Sequence, residues 1–128
     1  MKNIFLSLLC MLGIGSGCSA ADDGRLSPEA FRDAVSSDTT AYVLDVRRAG
    51  EYAEGHIEGA HLLDVLDEAA FADGLARLDP RHTYYIYCRS GRRSHAAWLR
   101  LTAKGLRAYD LEGGMLNWIE HKLPTVKD

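Results

Sequence analysis

Apolar and polar positions along this chain fall into alternating blocks, short apolar runs of strand length separated by stretches with apolar residues at helical spacing. Leu26-Ser27-Pro28-Glu29 reads as a helix start, with Ser27 as N-cap and Pro28 at the first helical position, leading into Ala30-Phe31-Arg32-Asp33-Ala34-Val35. Ala41-Tyr42-Val43-Leu44-Asp45-Val46 is a run rich in β-formers with the continuous apolarity of a buried strand. Ala60-His61-Leu62-Leu63 suggests a shorter one. Asp67 to Leu78 carries Ala70, Phe71, Leu75 and Leu78 at helical spacing and stops before Pro80. Thr83-Tyr84-Tyr85-Ile86-Tyr87-Cys88 is the clearest strand, and it ends in a thiol. Ser94 to Lys104 follows as a helix that Gly105 stops, Leu106 to Leu111 reads as a last strand, and Met115 to Lys122 is a closing helix bounded by Gly113-Gly114 and Pro124.

Strands that alternate with helices along a whole chain predict an α/β fold, a parallel or mostly parallel sheet with helices on both faces. In such sheets the chemistry collects at the carboxyl ends of the strands, where loops turn into helices. Cys88 stands at such an end. No internal repeat or second linker appears after residue 26, so one domain over 26–126 is expected, of a size that holds a core without a disulfide or a metal.

The N-terminus has a different pattern. Lys2 precedes an almost wholly apolar run from Ile4 to Ile14, followed by the small residues Gly15-Ser16-Gly17-Cys18-Ser19-Ala20-Ala21. This is the pattern of an export signal over 1–20, too short for a span that takes ~20 apolar residues. Two cleavage readings stay open. Ile14-Gly15-Ser16-Gly17-Cys18 resembles a bacterial lipobox, which would cleave before Cys18, lipidate it and anchor the protein to a membrane; cleavage after Ala20 or Ala21 would release a free periplasmic protein. Either way Cys10 leaves with the leader and the sulfur of Cys18 is removed or consumed, so Cys88 remains as the free thiol of the mature domain. A single thiol forms no internal disulfide.

Fifteen Lys and Arg against eighteen Asp and Glu give a net charge of -3 without a basic arm, which argues against nucleic acid as a partner. The basic residues are nevertheless crowded at one place. Arg89, Arg92 and Arg93 surround a Gly-containing turn, Cys88-Arg89-Ser90-Gly91-Arg92-Arg93-Ser94, between the clearest strand and a helix. Such a turn directs successive backbone N–H groups inward as an anion-binding nest, and the helix adds its positive end, so the cup favours a thiolate. A buried cysteine used as core filler needs none of this, which marks Cys88 as a reagent and the arginines as attractors of a small anion.

The same turn resembles the active-site loop of the rhodanese family. Two further segments match that family in the right order: Leu44-Asp45-Val46-Arg47 followed by Glu51-Tyr52, Gly55-His56-Ile57 and Gly59-Ala60, and then Leu111-Glu112-Gly113-Gly114-Met115 with Trp118. The resemblance spans about residues 26 to 124. It implies a five-stranded, mostly parallel sheet and a ping-pong cycle in which Cys88 takes a sulfane sulfur from an anionic donor such as thiosulfate and passes it to a thiophilic or thiol acceptor, with no metal or organic cofactor. Residues 89 to 93 would supply backbone donors to the persulfide, with Ser94 next in the same segment, and Arg89, Arg92 or Arg93 would draw in the donor. Asp45 and Arg47 are expected as supports, fixing with Glu51 the loop after the second strand; His56 is expected to fix a loop by hydrogen bonding, His95 to stay clear of the thiol, and Trp118 to lie in the core. Two other functions share the pattern, a phosphatase or arsenate reductase and a non-catalytic persulfide carrier. The related phosphatases have a loop one residue longer, ending in an arginine six places after the cysteine, where this chain has Ser94.

Overall fold

Bulky side chains on consecutive positions of Tyr84-Tyr85-Ile86-Tyr87 can all be buried only if both faces of their strand are covered. That is how they lie in the computed structural model, which describes residues 24–127; the leader expected over 1–20 and the lipidation expected at Cys18 lie outside the described residues. The central strand β4, Thr83–Tyr87, is buried at every position. Four others complete the sheet, β1 (Arg25–Leu26), β2 (Ala41–Asp45), β3 (His61–Leu62) and β5 (Arg107–Leu111), in the order β1-β5-β4-β2-β3, and every strand pair is parallel.

Five helices cover the sheet: α1 (Pro28–Ser37), α2 (Ala49–Glu54), α3 (Glu68–Ala76), α4 (Arg92–Ala103) and α5 (Gly114–Glu120). Alternation along the strands sorts them into two layers. Val43, Tyr85 and Tyr87 face Phe31 of α1, Tyr52 of α2 and Met115 and Trp118 of α5. Leu44, Tyr84 and Ile86 face Phe71 of α3 and Ala97 and Leu101 of α4, and Cys88 belongs to this second cluster. Trp118 is core, as expected, its ring set edge-on to Phe31 at 6.0 Å and its indole N–H donated to the Pro124 carbonyl.

Local chemistry explains the helix starts. Ser27 Oγ accepts from the Ala30 amide, and Asp67 caps α3 by accepting from the Ala70 amide. The differences from the sequence expectation are instructive. α4 begins at Arg92 rather than Ser94, and β4 ends at Tyr87 rather than at the thiol, because Gly91 takes a left-handed conformation (φ 102°) and starts the helix immediately after itself. The mostly parallel sheet is parallel throughout, and the antiparallel element is an isolated bridge between His56 and Val126. β1 and α2 had no apolar signature to announce them: β1 has two residues, and α2 buries none of its side chains, depending instead on the Glu51 carboxylate accepting from the Arg48 amide.

Phe31 is fully buried and packs edge-on against Tyr85 as well as Trp118. Its truncation empties the centre of the first layer. Phe31→Ala is expected to lower unfolding stability by about 3–5 kcal/mol, read from urea denaturation; a loss below about 1 kcal/mol would show that α1 is not held by this side chain.

Candidate active site

β4 delivers Cys88 to the carboxyl end of the sheet, and the chain then folds back over it. The thiol is fully buried, and its sulfur accepts the backbone N–H groups of Gly91 at 3.1 Å and Ser94 at 3.3 Å. α4 has a glycine N-cap with no side chain to satisfy its first-turn amides, so the sulfur occupies the acceptor position that a capping side chain would fill. Negative charge on sulfur is thereby favoured by two amide donors and by the positive end of a twelve-residue helix.

The carbonyls at the head of the same turn, those of Cys88 and Arg89, need partners of their own. They find them at the start of α5, where the Met115 amide donates to the Cys88 carbonyl at 2.8 Å and the Leu116 amide to the Arg89 carbonyl at 3.0 Å. The approach is so close that a Cβ on Gly114 would lie 2.5 Å from the Arg89 carbonyl oxygen, and Gly114 itself has φ 62°. Gly114 of the closing motif is thus a requirement of the thiol turn. Ser94 is fully buried, and among the described residues its hydroxyl has no hydrogen-bond partner.

The structure divides the three arginines. Arg93 reaches across to α2 and makes a two-pronged ion pair with Glu51, at 2.8 and 3.0 Å, so its charge is already matched. It therefore braces the loop against α2. Arg89 and Arg92 are exposed and have no ion-pair partner among the described residues. Ser90 is exposed at the top of the turn. His95 lies stacked against Trp98, ring centroids 5.6 Å apart.

Beneath the site is a buried polar network. The Asp45 carboxylate accepts from Arg47 Nε and Nη2 and from the Tyr87 hydroxyl at 2.7 Å, while Arg47 Nη2 also donates to the Gly55 carbonyl. Burial works against the Arg47 charge, but the hydrogen bonds and charge of Asp45 outweigh it and hold the guanidinium above its ordinary pKa. Burial, reinforced by the neighbouring Asp45 charge, pushes the Tyr87 phenol well up. The expected support by Asp45 and Arg47 is present, with Glu51 acting separately through Arg93. The hydroxyl of Tyr87 was not anticipated, although its place opposite Asp45 on the paired strand is a readable signal. His56 fixes its loop as expected, bridging Val126 through its backbone and stacking on Tyr52. Among the described residues no cluster of His, Cys, Asp or Glu is arranged to hold a metal.

Comparison with known proteins agrees with this geometry. The family model described as Rhodanese-like domain matches residues 27–121. YtwF of Bacillus subtilis, which carries a sulfurtransferase name, is 32% identical over 94 residues, 73% of this chain and 88% of its own length. A protein of Allochromatium vinosum named Sulfurtransferase is 28% identical over 108 residues, 80% of this chain and 94% of its own. Among solved structures, a rhodanese-related protein from Thermoplasma volcanium superposes with a TM-score of 0.73 at 27% identity, covering 81% of this chain and 98% of that one.

The Arg93 hydrogen bonds hold the Glu51 carboxyl down at about 2, against its ordinary 4.5. The folded state then binds fewer protons than the unfolded state between these values. The stabilisation is fully present above about pH 4.5 and is lost as pH falls toward 2. Glu51→Gln should therefore be less stable than the parent at neutral pH, with the gap closing on acidification. A gap of constant size down to about pH 2, measured by denaturant titration across pH, would show that the ion pair is not its source.

Proposed function

Because the chain belongs to the rhodanese-like family, we propose that it is a sulfurtransferase moving a sulfane sulfur from a small anionic donor such as thiosulfate to a thiophilic or thiol acceptor through a persulfide on Cys88. Sulfur transfer is the activity its relatives are named for. The observation that carries the finer reading is the pair of amides aimed at Cys88 Sγ, a fixed cradle that favours anionic sulfur both as attacking thiolate and as leaving group.

In the first half-reaction the Cys88 thiolate attacks the outer sulfur of thiosulfate. The bond between that sulfur and the sulfonate sulfur breaks, its electron pair leaves with sulfite, and Cys88 carries the persulfide. In the second, an acceptor thiolate or cyanide attacks the outer persulfide sulfur, and the electron pair of the broken S–S bond returns to Cys88 Sγ under the Gly91 and Ser94 amides. No external oxidant is needed. Arg89 and Arg92 attract the dianionic donor, and the unpartnered Ser94 hydroxyl is a donor available to the added sulfur.

Phosphoryl chemistry is disfavoured by two features of the same loop. It closes at Arg93, and a phosphatase needs a guanidinium free to grip equatorial oxygens, whereas Arg93 is gripped by Glu51. A passive persulfide carrier would share the cradle but not the turnover.

Cys88→Ser should abolish thiosulfate-to-cyanide transfer with the fold retained, and the parent incubated with thiosulfate should gain the mass of one sulfur atom that the variant does not gain. Cys88-dependent hydrolysis of p-nitrophenyl phosphate faster than sulfur transfer would replace the reading with a phosphatase. Export, with Cys18 lipidated, is proposed for the location. Palmitate labelling that vanishes in Cys18→Ala supports it, and an unlabelled mature protein beginning near Ala21 or Asp22 decides for a soluble periplasmic form.

A further inference from the structure

The thiol turn is flanked by a cleft of about 230 Å³ whose lining is unlike what thiosulfate or cyanide requires. One end is lined by Arg89, the residue directly after Cys88. One wall is α5, pinned to the turn by the hydrogen bond from the Leu116 amide to the Arg89 carbonyl. This wall presents Leu116 and Ile119, three residues apart and so on one helical face, with 46% and 55% of their surface exposed. The facing wall is α2, which presents Glu51 and Glu54 at the same spacing. Glu51 is taken by Arg93. Glu54 is exposed and has no ion-pair partner among the described residues, and neither has Arg89.

The cleft therefore offers a positive charge on the residue after the cysteine, an apolar wall, and a negative charge across from that wall, neither charge ion-paired among the described residues. A dianionic donor gains nothing from Leu116 and Ile119 and is repelled by Glu54. Cyanide is too small to touch either. The features fit the second substrate of the cycle, and this inference rests on the sulfur-transfer reading.

We propose that the sulfur acceptor is a short peptide-type thiol, with a carboxylate near its sulfur for Arg89, an apolar side chain for Leu116 and Ile119, and an ammonium for Glu54. A persulfide on Cys88 presents its outer sulfur about 2 Å beyond Sγ along an S–S bond, where a thiolate in the cleft meets it. That thiolate forms the new S–S bond to the outer sulfur, the old bond breaks toward Cys88 Sγ, and the acceptor leaves as its own persulfide with no net oxidation.

The dipeptide Leu-Cys carries all three groups and serves as the probe. The full chain is loaded with sulfur from thiosulfate and offered Leu-Cys, its N-acetyl form, its C-terminal amide or 2-mercaptoethanol at equal thiolate concentration. Leu-Cys should exceed 2-mercaptoethanol by about tenfold in kcat/KM, and acetylation or amidation should each cost about threefold, the size of a solvent-exposed charge pair. Glu54→Gln should erase the acetylation penalty and keep the amidation penalty. Ile119→Ser should lower the ratio of Leu-Cys to cyanide transfer by about fivefold through lost apolar contact. Equal rates for all four thiols, or an acetylation penalty undiminished in Glu54→Gln, would overturn the proposal. If thiosulfate leaves no sulfur on Cys88, the sulfur-transfer reading itself falls; the cleft is then judged by whether S-methylated Leu-Cys slows iodoacetamide alkylation of Cys88 in the parent and does so less in Glu54→Gln, and an absence of protection overturns the occupant too.

Discussion

The thiol turn must show its amides to sulfur and its carbonyls to something else, and most of the surrounding structure follows from that requirement. The Gly91 and Ser94 N–H groups donate to Cys88 Sγ, and the carbonyls of Cys88 and Arg89 at the head of the turn accept from the Met115 and Leu116 amides of α5. α5 can come that close only because position 114 lacks a Cβ. The two helix starts thus have opposite duties. α4 gives its amides to sulfur, and α5 gives its amides to the turn that holds the sulfur.

Charge is distributed around the turn with a comparable division of labour. A cluster of unmatched arginines would repel itself and move freely, a poor basis for a fixed site. Here Arg93 is tied to α2 through Glu51, and Arg47 is tied beneath the site to Asp45 and Gly55, each with two nitrogens engaged. Arg89 and Arg92 stay free. Breaking a buried pair by removing one partner costs about 3–5 kcal/mol, because it strands a charge away from water. The Asp45–Arg47 pair, with the Tyr87 hydroxyl completing it, is therefore better understood as a constraint on shape than as a source of net stability. It binds the end of β2 to the end of β4 and to the loop at Gly55, so the two flanks of the site cannot slide.

The sequence made the scaffold legible wherever burial wrote a pattern. The fully apolar β4, the capped starts at Ser27 and Asp67 and the glycine stop after α4 each follow from a local rule that tertiary contacts did not override. The turn around Cys88 was legible too, because a Gly-containing segment with three arginines serves no packing purpose. The shortest elements left no trace: α2 is held by a carboxylate-to-amide cap and an ion pair, and β1, two residues long, by its register on β5. The partner of Arg93 was equally hidden. Glu51 and Arg93 lie far apart in sequence, and nothing in a linear chain says which of three neighbouring arginines will find a carboxylate.

That last ambiguity is resolved by helical geometry. Arg92 and Arg93 are consecutive at the start of α4, so their side chains leave the helix ~100° apart. With Ser94 buried against the sheet and its amide on the sulfur, the angular position of the first turn is set, and only one of the two arginines can face α2. Arg93 takes that direction and Arg92 is left to solvent. The same rotation that aims the Ser94 amide at sulfur therefore ties one arginine into the structure and leaves the other exposed. A one-residue insertion after Gly91 would turn the helix start by that angle, moving the amide off the sulfur and the guanidinium off Glu51 in a single step.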